Sequence, residues 1–181
     1  MDDALERSLR LQFDKSEISE CLVRYARGMD RLDRALARSA YHDGAIDDHV
    51  GFVGGVDDFL DWAFAYHGAQ VRHQHYLTNT HIELQGDTAH VETYYTFIGT
   101  EPDPTSPLTV FGGRYIDRFE RRDGSWGIAV RICLVEWATD PRSLLSPEAA
   151  EFAAVAGTVA RDATDSSYER PLESRRTGTE P

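Results

Sequence analysis

The sequence predicts an α+β fold: a cone-shaped, curved antiparallel sheet with three N-terminal helices packed on its concave face. Two observations carry this prediction. Apolar residues recur at steps of three and four along roughly the first 70 residues, and apolar and polar residues then alternate up to about residue 137. A chain that segregates helices and strands in this way packs the helices on one face of the sheet. A curved sheet covered by helices encloses an apolar interior, where ligand pockets often form.

Three helices are predicted before the strands. Residues 14–32 form an amphipathic helix because their apolar side chains share one face, although Gly28 weakens its far end. Asp33 is placed to cap a second helix over residues 34–41. A third helix covers residues 57–68, and the segment that precedes it is rich in turn-forming residues.

Four strands follow, at residues 73–84, 88–99, 109–121 and 125–137. A short glycine-containing turn joins the first two strands, and another joins the last two, so each pair forms a hairpin. Three prolines make residues 101–107 a rigid loop between the hairpins.

The chain is predicted to divide into a main domain, residues 1–141, and a C-terminal helix with a flexible tail, residues 142–181. Ser146 is placed to cap this helix, with Pro147 at its first position. The last residues are polar and show no period, which indicates a tail. A length of 181 residues favours a single core.

The formal net charge of −12 argues against binding of nucleic acid or anionic membranes, since both need a cationic surface. No apolar run approaches the roughly 18 residues that a membrane span needs. The first residues are acidic where a secretory signal would be basic, so we expect a cytoplasmic protein.

Several reaction classes are excluded by missing motifs. The two cysteines, Cys21 and Cys133, give neither a disulfide framework nor a zinc site. The sequence contains no phosphate-binding G-x-x-x-x-G-K-[ST] loop, no G-x-G-x-x-G after a strand and no G-x-S-x-G elbow. Any chemistry must therefore come from His, Asp, Tyr and Arg side chains.

Polar side chains at positions that the pattern assigns to the core are the candidates for function. Tyr25 lies at the centre of the apolar face of the first helix, and Asp30 lies on its flank. Arg131 is a charge on a strand with two apolar faces, so it needs a partner. For Arg131, two alternatives remain open: an ion pair with Asp117 or Glu120 of the neighbouring strand, or a role in a pocket.

His75 shares one face of the first predicted strand with His73. Histidines on strands are more often packed or exposed than catalytic. The spacing of these two could belong to a metal site, but no carboxylate or cysteine follows at ligand spacing, so no metal is expected. His42 and His49 lie in turn-rich segments and look ordinary.

Three stretches of the sequence occur in an order and spacing typical of a known family. They are YARGMDRLD (25–33) followed by YHD (41–43), HYLTN (75–79) before IELQGDTA (82–89), and GGRYIDRFERRDGSW (112–126) followed by Arg131 and Glu136-Trp137. Together they cover about residues 10 to 140, and they resemble the SnoaL-like family. The resemblance implies the cone of nuclear-transport-factor-2-like proteins.

The resemblance also implies site residues. Dehydratase and dehydrochlorinase members pair an aspartate of the first helix with a histidine of the first long strand, and these positions match Asp30 and His75. A tyrosine five residues before that aspartate matches Tyr25, and an arginine on the last strand matches Arg131. The helix lysine of the dehydrochlorinase is not matched, since Lys15 lies too early.

The function implied is a cofactor-independent lyase, a dehydratase or a related eliminating enzyme, that acts on a small hydrophobic cyclic or aromatic molecule with loss of water or formaldehyde. His75 would take a proton with Asp30 behind it, and Tyr25 or Arg131 would assist the leaving group or oxyanion. Neither cofactor nor metal is needed. An isomerase or cyclase would use the same base, and ring-hydroxylating dioxygenase small subunits share the fold without catalysis.

A homodimer or homotrimer is also expected. The sheet has two apolar faces, and the helices can cover only one of them.

Overall fold

The computed structural model describes residues 2–49, 51–105, 107–139 and 162–164. The elements found there are α1 (Asp3–Asp30), α2 (Arg34–Arg38), β1 (Tyr41–His49), β2 (Phe52–Gly55), α3 (Val56–Ala69), β3 (Arg72–Gln85), β4 (Thr88–Thr100), β5 (Leu108–Arg122) and β6 (Ser125–Thr139). The C-terminal helix predicted from Ser146 lies outside the described residues, as does the tail beyond residue 164. None of the helices in the described part of the chain is long and apolar enough to cross a membrane.

The described strands form one open, six-stranded sheet in the order β2-β1-β6-β5-β4-β3. All neighbours pair antiparallel except β1 and β6, which run parallel. The α+β prediction is confirmed, with helices on one face of the sheet. The prediction of four strands is wrong, because β1 and β2 occupy the segment that looked rich in turns.

Helix α1 begins earlier than predicted. Asp2 caps it by accepting a hydrogen bond from the Ala4 backbone nitrogen at 3.0 Å. The added turns expose Leu5, Leu9 and Phe13. Because they bury no apolar face, the sequence pattern does not reveal this end of the helix. From Ile18 onward the apolar face of α1 is buried in the core.

Gly28 lets α2 pack closely on the end of α1. A Cβ atom at this position would lie 2.3 Å from the backbone nitrogen of Ala37, far inside contact distance. The helix therefore continues through Gly28 to Asp30 rather than weakening there, and the Asp33 backbone nitrogen donates to the Gly28 carbonyl at 2.8 Å.

Gly113 lies at a bulge in the hairpin of β5 and β6. The strand register shifts between Gly112 and Gly113, and a Cβ atom on Gly113 would lie 1.9 Å from the carbonyl oxygen of Leu134. Bulges bend the strand that carries them, so this hairpin curves.

The outer face of the sheet, away from the helices, carries exposed apolar side chains. Tyr94 on β4 and Leu134 on β6 both pair with Arg114 of β5, and Ile132 and Trp137 lie further along β6. All four apolar side chains are between 37% and 46% exposed. Several large apolar side chains exposed on one face of a sheet are typical of a subunit interface.

We therefore expect a homodimer or homotrimer that buries this outer face. Light scattering at micromolar concentration should give two or three times the chain mass, and Leu134→Glu should reduce it by placing a charge in the interface. Val23→Glu, on the exposed side of α1, is the matched control and should leave the mass unchanged. A monomeric wild-type protein would contradict the prediction.

Candidate functional site

A cavity of about 70 Å³ lies between helices α1 and α3 and the inner face of the sheet. Aromatic and histidine rings make up most of its wall. His75 and His49 come from β3 and β1, which three other strands separate in the sheet. Ring contacts connect the two histidines through Tyr25 and Tyr115, with successive ring centroids 6.3, 5.8 and 6.0 Å apart. The cavity is thus a small aromatic slot with His75 on one side and His49 on the other.

Asp30 and His75 are hydrogen-bonded at the wall of this cavity. Oδ1 of Asp30, the last residue of α1, lies 2.7 Å from Nδ1 of His75. Both carboxylate oxygens also accept from the His75 backbone nitrogen at 3.1 Å. A carboxylate only accepts, so Nδ1 carries the hydrogen and Nε2 is the nitrogen of the neutral ring that can take a proton. The side chains of His75 and Asp30 are 5% and 15% exposed.

His73 is the second histidine of this strand and lies beside the pair. Its Nε2 is 2.9 Å from the carbonyl oxygen of Met29 and 3.8 Å from Asp30 Oδ1, and its ring stacks on His67. Sequence spacing offered no third metal ligand, but the fold supplies one: ligand atoms of Asp30, His73 and His75 lie within 4.8 Å of one another.

The donor pattern of this cluster fits a hydrogen-bonded network better than a metal site. The Met29 carbonyl can only accept, so Nε2 of His73 is protonated and has no lone pair for a metal ion. Nδ1 of His75 is likewise occupied by Asp30. A metal ion bound through these two nitrogens would have to break both hydrogen bonds.

Tyr25 lies at the centre of the slot, with its ring buried between His75 and Tyr115. Burial raises the pKa of its phenol well above the ordinary value, with the Arg131 charge opposing that rise only in part. The hydroxyl therefore stays protonated and can donate a hydrogen bond to an oxygen in the cavity.

Arg131 lies behind the slot rather than on its described wall. Its guanidinium forms a bidentate ion pair with Asp117 at 2.8 and 2.7 Å and lies 4.2 and 4.1 Å from the ring centroids of Tyr25 and Tyr115. Burial lowers its pKa, but the charge of Asp117 outweighs this and raises the pKa well above its usual value. Of the two alternatives, the ion pair with Asp117 is present, and the guanidinium supports the tyrosines from beneath.

A second histidine–aspartate pair, which the sequence analysis missed, completes the cavity. His49 Nδ1 hydrogen-bonds Asp47, and the Tyr41 hydroxyl donates to the other oxygen of Asp47 at 2.6 Å. The His49 ring stacks on Phe59 of α3. One signal was present in the sequence: Ala45, Asp47 and His49 alternate at the spacing of one strand face.

Comparison with known proteins identifies the family of this fold. The model of the SnoaL-like domain matches residues 13–132, about two thirds of the chain. This chain belongs to the SnoaL-like family. No match was found among curated proteins.

Several solved structures share this fold. The SnoaL-like chain is 19% identical to a hexachlorocyclohexane dehydrochlorinase from Novosphingobium barchaimii, with a TM-score of 0.70 over 77% of this chain and 99% of that one. It is 16% identical to a candidate scytalone dehydratase from Novosphingobium aromaticivorans, with a TM-score of 0.65 over 74% and 91%. A protein from Kribbella flavida is 18% identical, with a TM-score of 0.66 over 72% and 95%. At identities this low, the structural matches show only that the fold is shared, which is the nuclear-transport-factor-2-like cone.

Proposed function

We propose that this SnoaL-like protein is a cofactor-independent lyase, a dehydratase or a related eliminating enzyme. The observation that carries the proposal is the hydrogen-bonded pair of Asp30 and His75 at the wall of an aromatic cavity. The family and its structural neighbours include lyases, which supports the same class of reaction.

His75 is the base of the proposed reaction. Its Nε2 takes a proton from a substrate carbon, the electrons of that C–H bond form a double bond, and the leaving oxygen departs from the adjacent carbon as water once it gains a proton. Asp30 holds the ring in the required tautomer and stabilises the imidazolium that forms. A positioned base of this kind typically contributes about 10²–10⁴-fold to the rate.

Tyr25 is the proposed donor to the leaving oxygen. Its phenol is neutral and its ring lies beside that of His75, so the base and the donor meet one substrate in one slot. The Arg131 guanidinium contacts the rings of both Tyr25 and Tyr115 and so helps to hold them in place.

The substrate that suits this cavity is small, flat and hydrophobic. Ligand pockets commonly measure about 300–1,000 Å³, whereas this slot measures about 70 Å³ and is walled by rings. It therefore accepts a single cyclic or aromatic group rather than a large polycyclic molecule. An isomerase or a cyclase would use the same base, and product analysis distinguishes the three reactions.

The test is a screen of hydroxylated cyclic and aromatic compounds without added cofactor, with products identified by mass spectrometry. Loss of water or formaldehyde from one of them, abolished by His75→Ala, is the expected result. Ligand binding without turnover across the screen would favour a non-catalytic binding module instead.

Activity should survive removal of metal ions. Dialysis against a chelator should leave the rate within about twofold, because Nε2 of His73 and Nδ1 of His75 are committed to hydrogen bonds. The measurement is turnover before and after dialysis, with metal content checked by elemental analysis. Activity that disappears with the chelator and returns with zinc or iron would contradict this prediction.

A further inference from the structure

The cavity has two histidine–aspartate pairs, but the proposed elimination uses only the one on β3. In the second pair, on β1, the Asp47 side chain is fully buried and that of His49 is 15% exposed. Because Nδ1 of His49 is bonded to Asp47, the Nε2 edge is the part of the ring that remains for a ligand.

The groups around His49 come from every element that packs on it. Asp47 and Tyr41 lie on β1, Tyr115 and Asp117 on β5, Arg131 and Cys133 on β6, and Tyr25 on α1; α3 contributes only the apolar rings of Phe59 and Trp62. Among them are two carboxylates, those of Asp47 and Asp117, and one guanidinium, that of Arg131.

This count leaves the buried cluster one positive charge short. The side chains of Asp117 and Arg131 are fully buried, and they neutralise each other as an ion pair. Asp47 is equally buried, and a buried carboxylate without a counter-charge is costly. A protonated His49 supplies that charge and leaves the cluster neutral.

Electrostatics around His49 favour the charged form. Burial lowers its pKa, but the Asp47 charge, the hydrogen bond to Asp47 and the Cys133 thiol together raise it to about 9. At neutral pH the ring is therefore an imidazolium whose Nε2 bears a hydrogen. A thiol is a weak hydrogen-bond acceptor, so a substrate oxygen can take the place of Cys133 beside the ring.

We propose that His49 is the anion-binding group of the cavity, and that it holds the phenolate, enolate or carboxylate oxygen of a flat cyclic substrate whose reacting carbon faces His75. The inference rests on the proposed function for the placement of the reacting carbon. The anion site itself does not depend on turnover. If His49 binds an anion, the substrates are small cyclic molecules that carry an acidic oxygen.

The probe for this site is 4-nitrophenol, which ionises near neutral pH and absorbs visible light only as the phenolate. At pH 6, wild-type protein should bind it as the phenolate, so that visible absorbance rises and the ionisation constant of the bound probe increases at least tenfold. Affinity should fall as the pH passes through about 9, where His49 loses its proton. Nitrobenzene, which lacks the hydroxyl group, should bind without this pH dependence.

Three variants separate the possible sources of the signal. His49→Gln should abolish the absorbance rise and weaken phenolate binding at least tenfold, with nitrobenzene binding retained. His75→Gln should keep the phenolate signal, since it removes the base and leaves the anion site. His81→Gln, on an exposed part of β3, is the matched control for loss of a histidine.

A second measurement keeps the proposal testable if His49→Gln does not fold. Long-range ¹H–¹⁵N spectra of the wild-type protein should show one imidazolium at pH 7.5 whose signals shift when 4-nitrophenol binds. A neutral His49 at that pH, a probe bound as the neutral phenol, or no binding at millimolar probe would overturn the proposal. Failure of the substrate screen alone would overturn the lyase and leave the phenolate result intact.

Discussion

His75→Ala is expected to lower the rate of the chemical step by about 10²–10⁴-fold and to leave ligand binding nearly intact. In the proposed mechanism Nε2 of His75 acts on the substrate only in the transition state, so its loss should appear in kcat rather than in KM. The measurement is single-turnover kinetics on the substrate found by the screen, together with equilibrium binding of that substrate or its product.

Asp30→Asn tests whether the carboxylate orients this base. The amide keeps the shape of the side chain, but it can present an N–H to Nδ1 and favour the wrong tautomer, so its effect should also appear in kcat. Because Asp30 contacts both Nδ1 and the backbone nitrogen of His75, the two residues should act as a unit. The double variant should be scarcely slower than His75→Ala alone.

The control for this cycle is Asp87→Asn, an exposed carboxylate in the turn after β3, which should leave kcat unchanged. Strictly additive losses for Asp30→Asn and His75→Ala would show that the two residues work independently, and the assigned mechanism would then be wrong.

Arg131→Met is expected to cost about 3–5 kcal/mol of the free energy of unfolding, the usual loss when one partner of a buried ion pair is removed. Asp117 would then remain buried without its counter-charge, and burial already raises the pKa of that carboxyl despite Arg131. The rings of Tyr25 and Tyr115 would also lose the cation that contacts both of them. Urea denaturation followed by circular dichroism gives the measurement.

Two further variants test whether the loss of stability comes from the buried ion pair rather than from the removal of any arginine charge. Arg118→Met removes a half-exposed arginine that pairs with Glu120, and it should change stability by no more than about 1 kcal/mol. Adding Asp117→Leu to Arg131→Met should recover part of the loss, because no unpaired carboxylate then remains at that position. If Arg131→Met were as stable as Arg118→Met, the ion pair of Arg131 and Asp117 would contribute little to stability.

Much of the architecture could be predicted from local pattern. The strand positions follow from alternation, and α3 follows from its helical period, because each of these segments buries one face of its own element. In segment 41–55 the alternation is weak, because two of the three residues that show it, Ala45, Asp47 and His49, are polar. Strand β1 carries Gly44, Asp47 and Asp48, and its place depends on parallel pairing with β6, more than 80 residues away in sequence.

The candidate site was likewise predictable only in part. The sequence by itself determined that Tyr25 is a core residue, that Arg131 must have a buried partner, and, through family resemblance, that Asp30 and His75 are a candidate pair. Only the tertiary structure decided that Asp117 rather than Glu120 pairs with Arg131. It also decided that a carboxylate oxygen of Asp30 lies close to the ring nitrogens of His73 and His75, and that His49 lies in the cavity. The physical reason is that the periodicity of a segment shows which face each of its residues occupies. The partner of a residue is instead determined by strand register and helix packing between segments far apart in the chain.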